Sequence, residues 1–433
     1  MSLRTVGKNL EYILPASHDA VPEAFKSNTN PKPIACSLQT TNIPALSGNA
    51  SASGTSIIQL PLGNSAGFIS NPYVRFTVTL AKGAAVNPSS FSWKGAAGCA
   101  TACINSIQTY VNSVQVDNLN SVDMLYDTLL GHSSSNDWLT HDGQVLLGAN
   151  LVYNTSAATG ATAFSATYCV PLLGLLGSQQ SFPAFLCNGV FQIQISWNSL
   201  ARMQGYIAGD VAWTGATFSD IQFVYDRISP EQAFVDSVRS SMSSGQKFVY
   251  SYSNFQTVPI SIPSSEGQTQ QNIGLNVSSL RGVVCNQVVT ADLSANNALG
   301  LSVPKGLSQF RLSLDGRLVN ANTLLYSYTQ GAAEASLVHK QAVVFAEMQR
   351  ALGRIFDASL TDLSTASTYN TSNFAVGVSA QRINESLSFS GSPVSICSVE
   401  LTTGAGSACT LFCHFMSDFQ LLIDSSGSVE ICR

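Results

Sequence analysis

Apolar and polar positions alternate with a period of two along most of this chain, and the clearest such stretch occurs twice. In Ile107 to Leu130 (IQTYVNSVQVDNLNSVDMLYDTLL), Ile107, Thr109 and Val111 alternate with Gln108 and Tyr110. Asn112-Ser113 supplies a two-residue turn, and Val114 and Val116 resume the alternation, which is the pattern of a β-hairpin. Val122, Leu125, Tyr126 and Leu129 then fall at i, i+3, i+4 and i+7 and predict a short helix. Far downstream, FRLSLDGRLVNANTLLYSY repeats the theme: Phe310, Leu312 and Leu314 alternate, Asp315-Gly316 turns, and Leu324-Leu325-Tyr326 echoes Met124-Leu125-Tyr126. A second echo follows in the same order. FSDIQFVYD (Phe218 to Asp226) returns as MSDFQLLID (Met416 to Asp424), with Ser, Asp, Gln and the final Asp kept and every other position apolar. A repeat this long predicts two similar domains in tandem, not a solenoid or a propeller.

The remaining pattern fits that division. Val74, Phe76, Val78 and Leu80 alternate with Arg75, Thr77 and Thr79, as do Ile193, Ile195 and Trp197 with Gln192, Gln194 and Ser196. Between them, 131–163 is a long excursion rich in Ser, Asn, Gly and Thr, and a loop of that length in a compact domain has a purpose. Ser229-Pro230-Glu231-Gln232 reads as a capping box with proline at the first helical position, and Ser243-Ser244-Gly245 ends that helix. Phe248, Tyr250 and Tyr252, then Val258, Ile260 and Ile262, restart the strands. GAAEASLVHKQAVVFAEMQRALG predicts the longest helix, with Leu337, Val338, Val344, Phe345, Met348 and Leu352 on its buried stripe and Gly353 as its C-cap. A second Ser/Thr/Asn-rich excursion runs over 357–373, at a place comparable to the first. Residues 1–55 (SNTNPKP, SGNASASGTS) read as an N-terminal arm, with Tyr12-Ile13-Leu14 as its anchor. The division is therefore 1–55 arm, 56–228 first domain, 229–245 linker helix and 246–433 second domain. The class is all-β, two β-sandwiches with short helices.

Composition changes the picture in one respect. Of 433 residues only 10% are charged, against about 25% in ordinary domains, while 45% are hydrophobic. Neutral polar surfaces come together at low desolvation cost, which points towards assembly. The net charge of -5 and the absence of a basic run argue against direct nucleic-acid packaging. Up to Cys36 the arm carries Arg4, Lys8, Lys26 and Lys32 against Glu11, Asp19 and Glu23. The ten cysteines are scattered, several inside apolar runs such as YCVPLL and FLCNG, and MSLRTVGKNLEYILPAS has no sustained apolar core. Reduced thiols and synthesis in a cytoplasm are expected. No apolar run reaches the roughly 18 residues that span a bilayer.

Three stretches carry a pattern of known architecture. Ile107 to Leu130 resembles the hairpin-plus-helix segment of double jelly-roll major capsid proteins of tailless icosahedral DNA viruses. YCVPLLGLLG followed by FPAFLCNGVFQIQISW resembles their proline-marked strand, loop and long strand. GSPVSICSVELTTGAGSACTLFCHFMSDFQLLIDSSGSVEI resembles their closing strands. The resemblance covers residues 56–433. It implies two tandem eight-stranded jelly rolls standing upright in a homotrimeric, pseudo-hexagonal capsomer of a virion capsid. It also implies outward towers from the loops at 131–163 and 357–373, and an arm that runs beneath the capsomer towards neighbours, minor capsid proteins or an internal membrane. A minor or vertex-associated capsid protein of the same fold is the nearest alternative. A cell-surface carbohydrate-binding β-sandwich protein is the other, and it requires export and oxidised cysteines.

Candidate chemistry is sparse. Gly63-Asn64-Ser65-Ala66-Gly67 matches the nucleophile elbow, but that motif works between a strand and a helix, and strand patterns flank it here. His132, Asp137, His141 and Asp142 lie close together in the first excursion and are read as a solvated loop. Cys99/Cys103 and Cys409/Cys413 lack a second pair at zinc spacing. Sequons begin at Asn49, Asn154, Asn276, Asn370 and Asn384, as a chain rich in Asn, Ser and Thr produces by chance. No catalytic residue, metal or cofactor is expected.

Overall fold

The computed structural model describes residues 36–63, 65–81, 90–95, 97–134, 136–149, 151–154, 162–177, 181–205, 213–294, 307–319, 324–325, 334–352, 373–381 and 391–433. Strands β1 (Cys36–Pro44), β2 (Asn49–Ser51), β3 (Thr55–Pro61), β4 (Phe68–Ala81), β5 (Ser90–Trp93), β6 (Ile104–Val111), β7 (Val114–Asn120), β8 (Tyr153–Asn154), β9 (Thr162–Pro171), β10 (Val190–Trp197), β11 (Gln204–Gly205) and β12 (Gly215–Pro230) build the first unit. With them come helices α1 (Val122–Ser133), α2 (Asn136–Thr140), α3 (Asp142–Leu147) and α4 (Leu200–Met203). Helix α5 (Gln232–Ser243) leads to β13 (Phe248–Ile262), β14 (Gly267–Val289), β15 (Leu307–Leu314), β16 (Arg317–Leu318) and β17 (Leu324–Leu325). Helix α6 (Glu334–Ala351) precedes β18 (Ala375–Ser379), β19 (Ser392–Thr403), β20 (Cys409–Ile423) and β21 (Val429–Cys432).

Two antiparallel sheets of the first unit run β1-β12-β4-β9 and β3-β10-β6-β7. Taken in chain order as the eight strands B to I, these are B-I-D-G and C-H-E-F, the order of a jelly roll. The second unit repeats it. β13-β20-β14-β18 is B-I-D-G, and the first part of β14 with β19, β15 and β16 is C-H-E-F. One strand serves both sheets there. β14 bends where its register shifts after Gly274 and again after Val277, with Asn276 at φ 49, and leaves β19 for β20 at Leu280. The chain is thus all-β, two tandem jelly rolls with short helices.

Both sequence echoes are equivalent strands. The paired hairpins are β6-β7 and β15-β16, and both turn through two residues at positive φ: Asn112 and Ser113 (48 and 66) and Asp315 and Gly316 (46 and 79). That left-handed pair matches the twist of the flanking strands. FSDIQFVYD lies in β12 and MSDFQLLID in β20, the I strands. Period-two alternation marks the inner faces: Val74, Phe76, Val78 and Leu80 are fully buried against Ile193, Ile195 and Trp197 of the opposite sheet. Trp197 stacks on Phe218 with ring centroids 4.0 Å apart and donates its Nε1–H to Ser56 Oγ at 2.9 Å.

Four expectations change. Cys36–Pro44 and Asn49–Ser51, assigned to the arm, are paired strands, with Cys36 opposite Pro230 and Pro44 opposite Gln222. Neither face of β1 is buried, so no alternation reveals it. The capping box does not form: Pro230 ends β12, and Glu231 is the N-cap without a side-chain hydrogen bond. The excursion 131–163 contains the end of α1, α2, α3, β8 and the first residues of β9. Leu324-Leu325 is a strand paired with Phe310 and Gln309, not the counterpart of helical Met124-Leu125, and the helix comes later as α6. In α6, Val344 and Met348 are buried and Phe345 half-buried; Gly353 and 357–372 lie outside the described residues, as does the arm anchor at Tyr12.

Candidate assembly surfaces and the junction between the units

The two jelly rolls stand side by side with the same ends together. At the end where β1 begins, Asn188, in the segment before β10, donates from its backbone N–H to Gly427 O at 3.1 Å and from its side chain to Ser426 O. Gly427 has φ 78, and a β-carbon there would lie 2.7 Å from the Asn188 side chain, so the contact requires glycine on both counts. At the opposite end Lys94, beyond β5, donates to Ala201 O at 3.1 Å and to Leu293 O of the second unit at 3.5 Å. Burial lowers the Lys94 pKa to about 8, with Asp292 opposing the shift. The described residues that follow β4, β7 and β14, namely β5, α1 and 290–294, therefore lie at this end of both units.

Between these ends the junction is apolar. Met124 of α1 packs with Val288 of β14 and Phe412 of β20, and Arg202 lies 5.8 Å from the Phe412 ring centre. Tyr250 and Tyr252 of β13 are buried: Tyr252 donates to Val116 O at 2.8 Å, Tyr250 to Leu175 O at 3.3 Å, and Phe182 meets Tyr250 edge-on at 5.5 Å. Helix α1 is buried almost all round because both units cover it. It brings in Asp123, held by Arg202 through Nε at 2.6 Å and Nη2 at 3.1 Å, and Asp127, which accepts from Ala97 N–H at 2.9 Å. The buried core continues through the junction from one unit into the other.

Two ionisable groups are buried in or beside this junction. Asp117 of β7 accepts from Leu175 N–H at 2.7 Å through Oδ2, while its buried Oδ1 has no partner. Burial pushes its pKa up to about 7 against the Leu175 hydrogen bond. His414 of β20 shares a hydrogen bond with Thr257 Oγ1 through Nδ1 at 2.9 Å, and its buried Nε2 has no partner. Burial lowers the His414 pKa to about 3. Neither residue was legible as special, since each sits in an ordinary strand. A signal did exist for the covered face: VVCNQVV in β14 is buried on both sides, where the equivalent VRFTVTL of β4 alternates.

The outer face of β1-β12-β4-β9 is different in kind. Thr77 bonds Thr167 at 2.8 Å, Thr79 bonds Ser165 at 3.2 Å, Arg75 pairs with Asp220, and Asp226 accepts from Thr40 and Asn71 at 3.0 Å each. It is a neutral polar surface whose groups satisfy one another.

The residues weighed for chemistry are not brought together. His132 is buried in α1, whereas His141 and Asp142 are exposed; the side chain of Asp137 lies outside the described residues. Among the described residues no three His, Cys, Asp or Glu side chains are grouped to hold a metal ion. No disulfide joins any of the ten cysteines. Cys99 bonds Thr101 Oγ1 at 2.8 Å and burial pushes its thiol up to about 12. Cys409 and Cys413 lie four residues apart on one strand, about 13 Å, too far to share an ion. Ser65 and its flanking glycines connect β3 to β4, two strands, so the strand-to-helix turn of a nucleophile elbow is missing. Of the sequons, Asn49 and Asn276 are exposed; Asn370 and Asn384 lie outside the described residues. No described helix is long and apolar enough to cross a membrane.

No protein-family model matches the sequence, and no curated protein matches it. Solved structures do share the fold. PBCV-1 VP54, as fitted into a reconstruction of the virophage Sputnik, aligns at a TM-score of 0.60 and 13% identity over 94% of this chain and 99% of that one. The quasi-atomic PBCV-1 virus capsid aligns at 0.63 and 13%, with the same coverage. The Faustovirus major capsid protein aligns at 0.59 and 10% over 92% of each chain.

Proposed function

We propose that this chain is a viral major capsid protein, building an icosahedral shell from trimers in which each chain supplies two of six similar walls. The observation that carries the reading is the doubled jelly roll itself. Two units of one strand order stand parallel, fused by a buried junction, so a single chain presents two near-equivalent walls at a fixed angle. Three such chains tile a six-neighbour lattice with one gene product. The solved chains of similar fold named above are capsid proteins, matched over nearly their whole length.

In this reading the division falls at α5, with the first jelly roll before it and the second after it. The end that holds Lys94 and α1 faces outwards, and the reading assigns the loops at 131–163 and 357–373 to that outer surface. The opposite end, where β1 begins, faces the shell interior, and residues 1–35 extend from it towards neighbouring capsomers, minor capsid proteins or an internal membrane. Function lies in surfaces, without a catalytic site or cofactor, and the site of action is the virion.

Light scattering and electron microscopy of the purified full chain test this. Trimeric particles of pseudo-hexagonal outline are expected. A chain that stays monomeric up to assembly concentrations refutes the reading, and low copy number in purified virions would instead assign it to a minor capsid role.

A further inference from the structure

The face of β14 and β20 that α1 covers carries two buried side chains with polar atoms that no protein group bonds. Val284, Asn286 and Val288 alternate onto this face from β14. On β20, Phe412 lies opposite Asn286 and His414 opposite Val284. Asn286 is 1% exposed, and neither its Oδ1 nor its Nδ2 has a hydrogen-bond partner. His414 uses Nδ1 on the Thr257 hydroxyl, which leaves its Nε2 bare. The side chains next to the pair cannot supply what is missing: Val284, Val288 and Phe412 are apolar, as is Ala375, which faces Asn286 from β18.

Two helices cover this face at different places. Helix α1 packs Met124 on Val288 and Phe412. Helix α6 closes over Gly377 and Gly282, where β-carbons would lie 3.0 Å from Met348 Cα and 3.4 Å from Ala351 O. Along β14, Asn286 falls between Gly282, under α6, and Val288, under α1. Along β20, His414 falls between Phe412 and Met416, which is opposite Gly282. The pair therefore sits in the seam where the cover passes from one helix to the other.

We propose that an ordered water molecule binds in this seam and bridges the Asn286 amide to His414 Nε2. The two residues are diagonal neighbours on one sheet face, about 7–8 Å apart, a span that an amide, an imidazole and one water fill. An amide buried without a partner loses its hydration and gains nothing in return. Bound water relieves such groups where several polar atoms converge, and three converge here. Water both donates and accepts, so it suits either tautomer of His414 and either orientation of the amide. The seam lies inside one chain. A monomer would hold this water as a trimer would, so failure here leaves the capsomer reading untouched.

A crystal structure or electron cryomicroscopy map of the full chain that shows bound water tests the site. A peak within hydrogen-bond distance of both His414 Nε2 and the Asn286 side chain is expected. No peak, or a direct bond between the two side chains, overturns the proposal. Urea unfolding of Asn286→Leu, His414→Leu and the double variant measures the same link in solution. Each single change takes one partner from the water and should lower the unfolding midpoint, and the double change should lower it by less than the sum of the two. Additive shifts overturn a shared water. Should His414→Leu fail to fold, the map of the wild-type chain decides alone.

Discussion

Asp117 and His414 are expected to balance each other's effect of pH on stability, and replacing one should expose the other. In the unfolded chain Asp117 titrates near its ordinary 3.8, and in the folded protein near 7. Between those values the folded chain keeps a proton that the unfolded chain releases, so this group's contribution is fully present below pH 3.8 and is lost as pH rises through 7. His414 runs the other way. Its ordinary value is 6.5 and its folded value about 3, so on acidification the unfolded chain takes up a proton that the folded chain refuses, and stability is lost as pH falls from 6.5 towards 3. Each shift is on the order of three units, or about 4 kcal/mol at 1.36 kcal/mol per unit as an upper bound. From about pH 4 to 6.5 the two slopes oppose, and their combined contribution is nearly flat. Asp117→Asn removes one of them. The amide keeps an oxygen for Leu175 N–H, and the other position already lacks a partner, so no further bond is lost. At pH 8 the variant should be more stable than wild type by several kcal/mol at most, and it should lose roughly 1.4 kcal/mol per pH unit between 6.5 and 4 relative to wild type. Urea unfolding followed by circular dichroism at half-unit intervals measures this. The four tryptophans, all before residue 230, report the first unit separately. Parallel pH profiles for variant and wild type would refute the burial argument.

Three further outcomes follow from the same geometry. Arg202→Ala leaves the Asp123 carboxylate buried without its bidentate partner and should cost about 3–5 kcal/mol in denaturant unfolding. Asp315→Ala removes the carboxylate that accepts from Ser395 and Ile396 N–H and places alanine at φ 46; a loss of about 1–3 kcal/mol is expected, with Asp315→Asn largely tolerated. Thiol titration of the native protein should find Cys36 reacting fast, half-buried Cys169 and Cys432 slowly, and the remaining seven only after denaturation.

Where one face of a strand is buried, the sequence carried the answer. The hairpins at Asn112-Ser113 and Asp315-Gly316, the I-strand echo and the alternation of Val74 to Leu80 were all legible, because a sandwich core imposes period two on its inner faces. β1 was not, since both of its faces are exposed and it belongs to the sheet through backbone hydrogen bonds alone. Helices α2 and α3 were hidden in a segment whose composition reads as loop and whose few apolar residues, such as Leu139 and Leu147, are too widely spaced to set a period. The junction was the least legible part. Asp117 lies in VQVDNLN, where a polar residue between apolar ones reads as facing solvent. It is buried opposite Thr109 on its own sheet and beneath the Gly174–Leu175 segment of the first unit, and no local pattern encodes a partner so distant in the chain.

The two jelly rolls show what duplication keeps and what it releases. In both, an arginine on the D strand reaches an aspartate on the I strand: Arg75 with Asp220, and Arg281 with Asp418 at 3.8 Å, where Ser279 Oγ also donates to Asp418 at 2.8 Å. This pair ties together two strands whose register is irregular at that point in each unit, which accounts for its survival in both. The outer faces beside it have separated completely. In the first unit Thr77 and Thr79 are half-buried and Thr217 is exposed, while in the second Val288 and Phe412 are buried against Met124 of the first unit. A face left open to water has to remain soluble without a cover. Once fusion covered one of the two faces permanently, hydrophobic burial worth about 25 cal/mol per Å² became available there without an aggregation penalty. The polar face is therefore the one that stays soluble without a cover, and the asymmetry between two otherwise equivalent walls marks which of them the chain buries against itself.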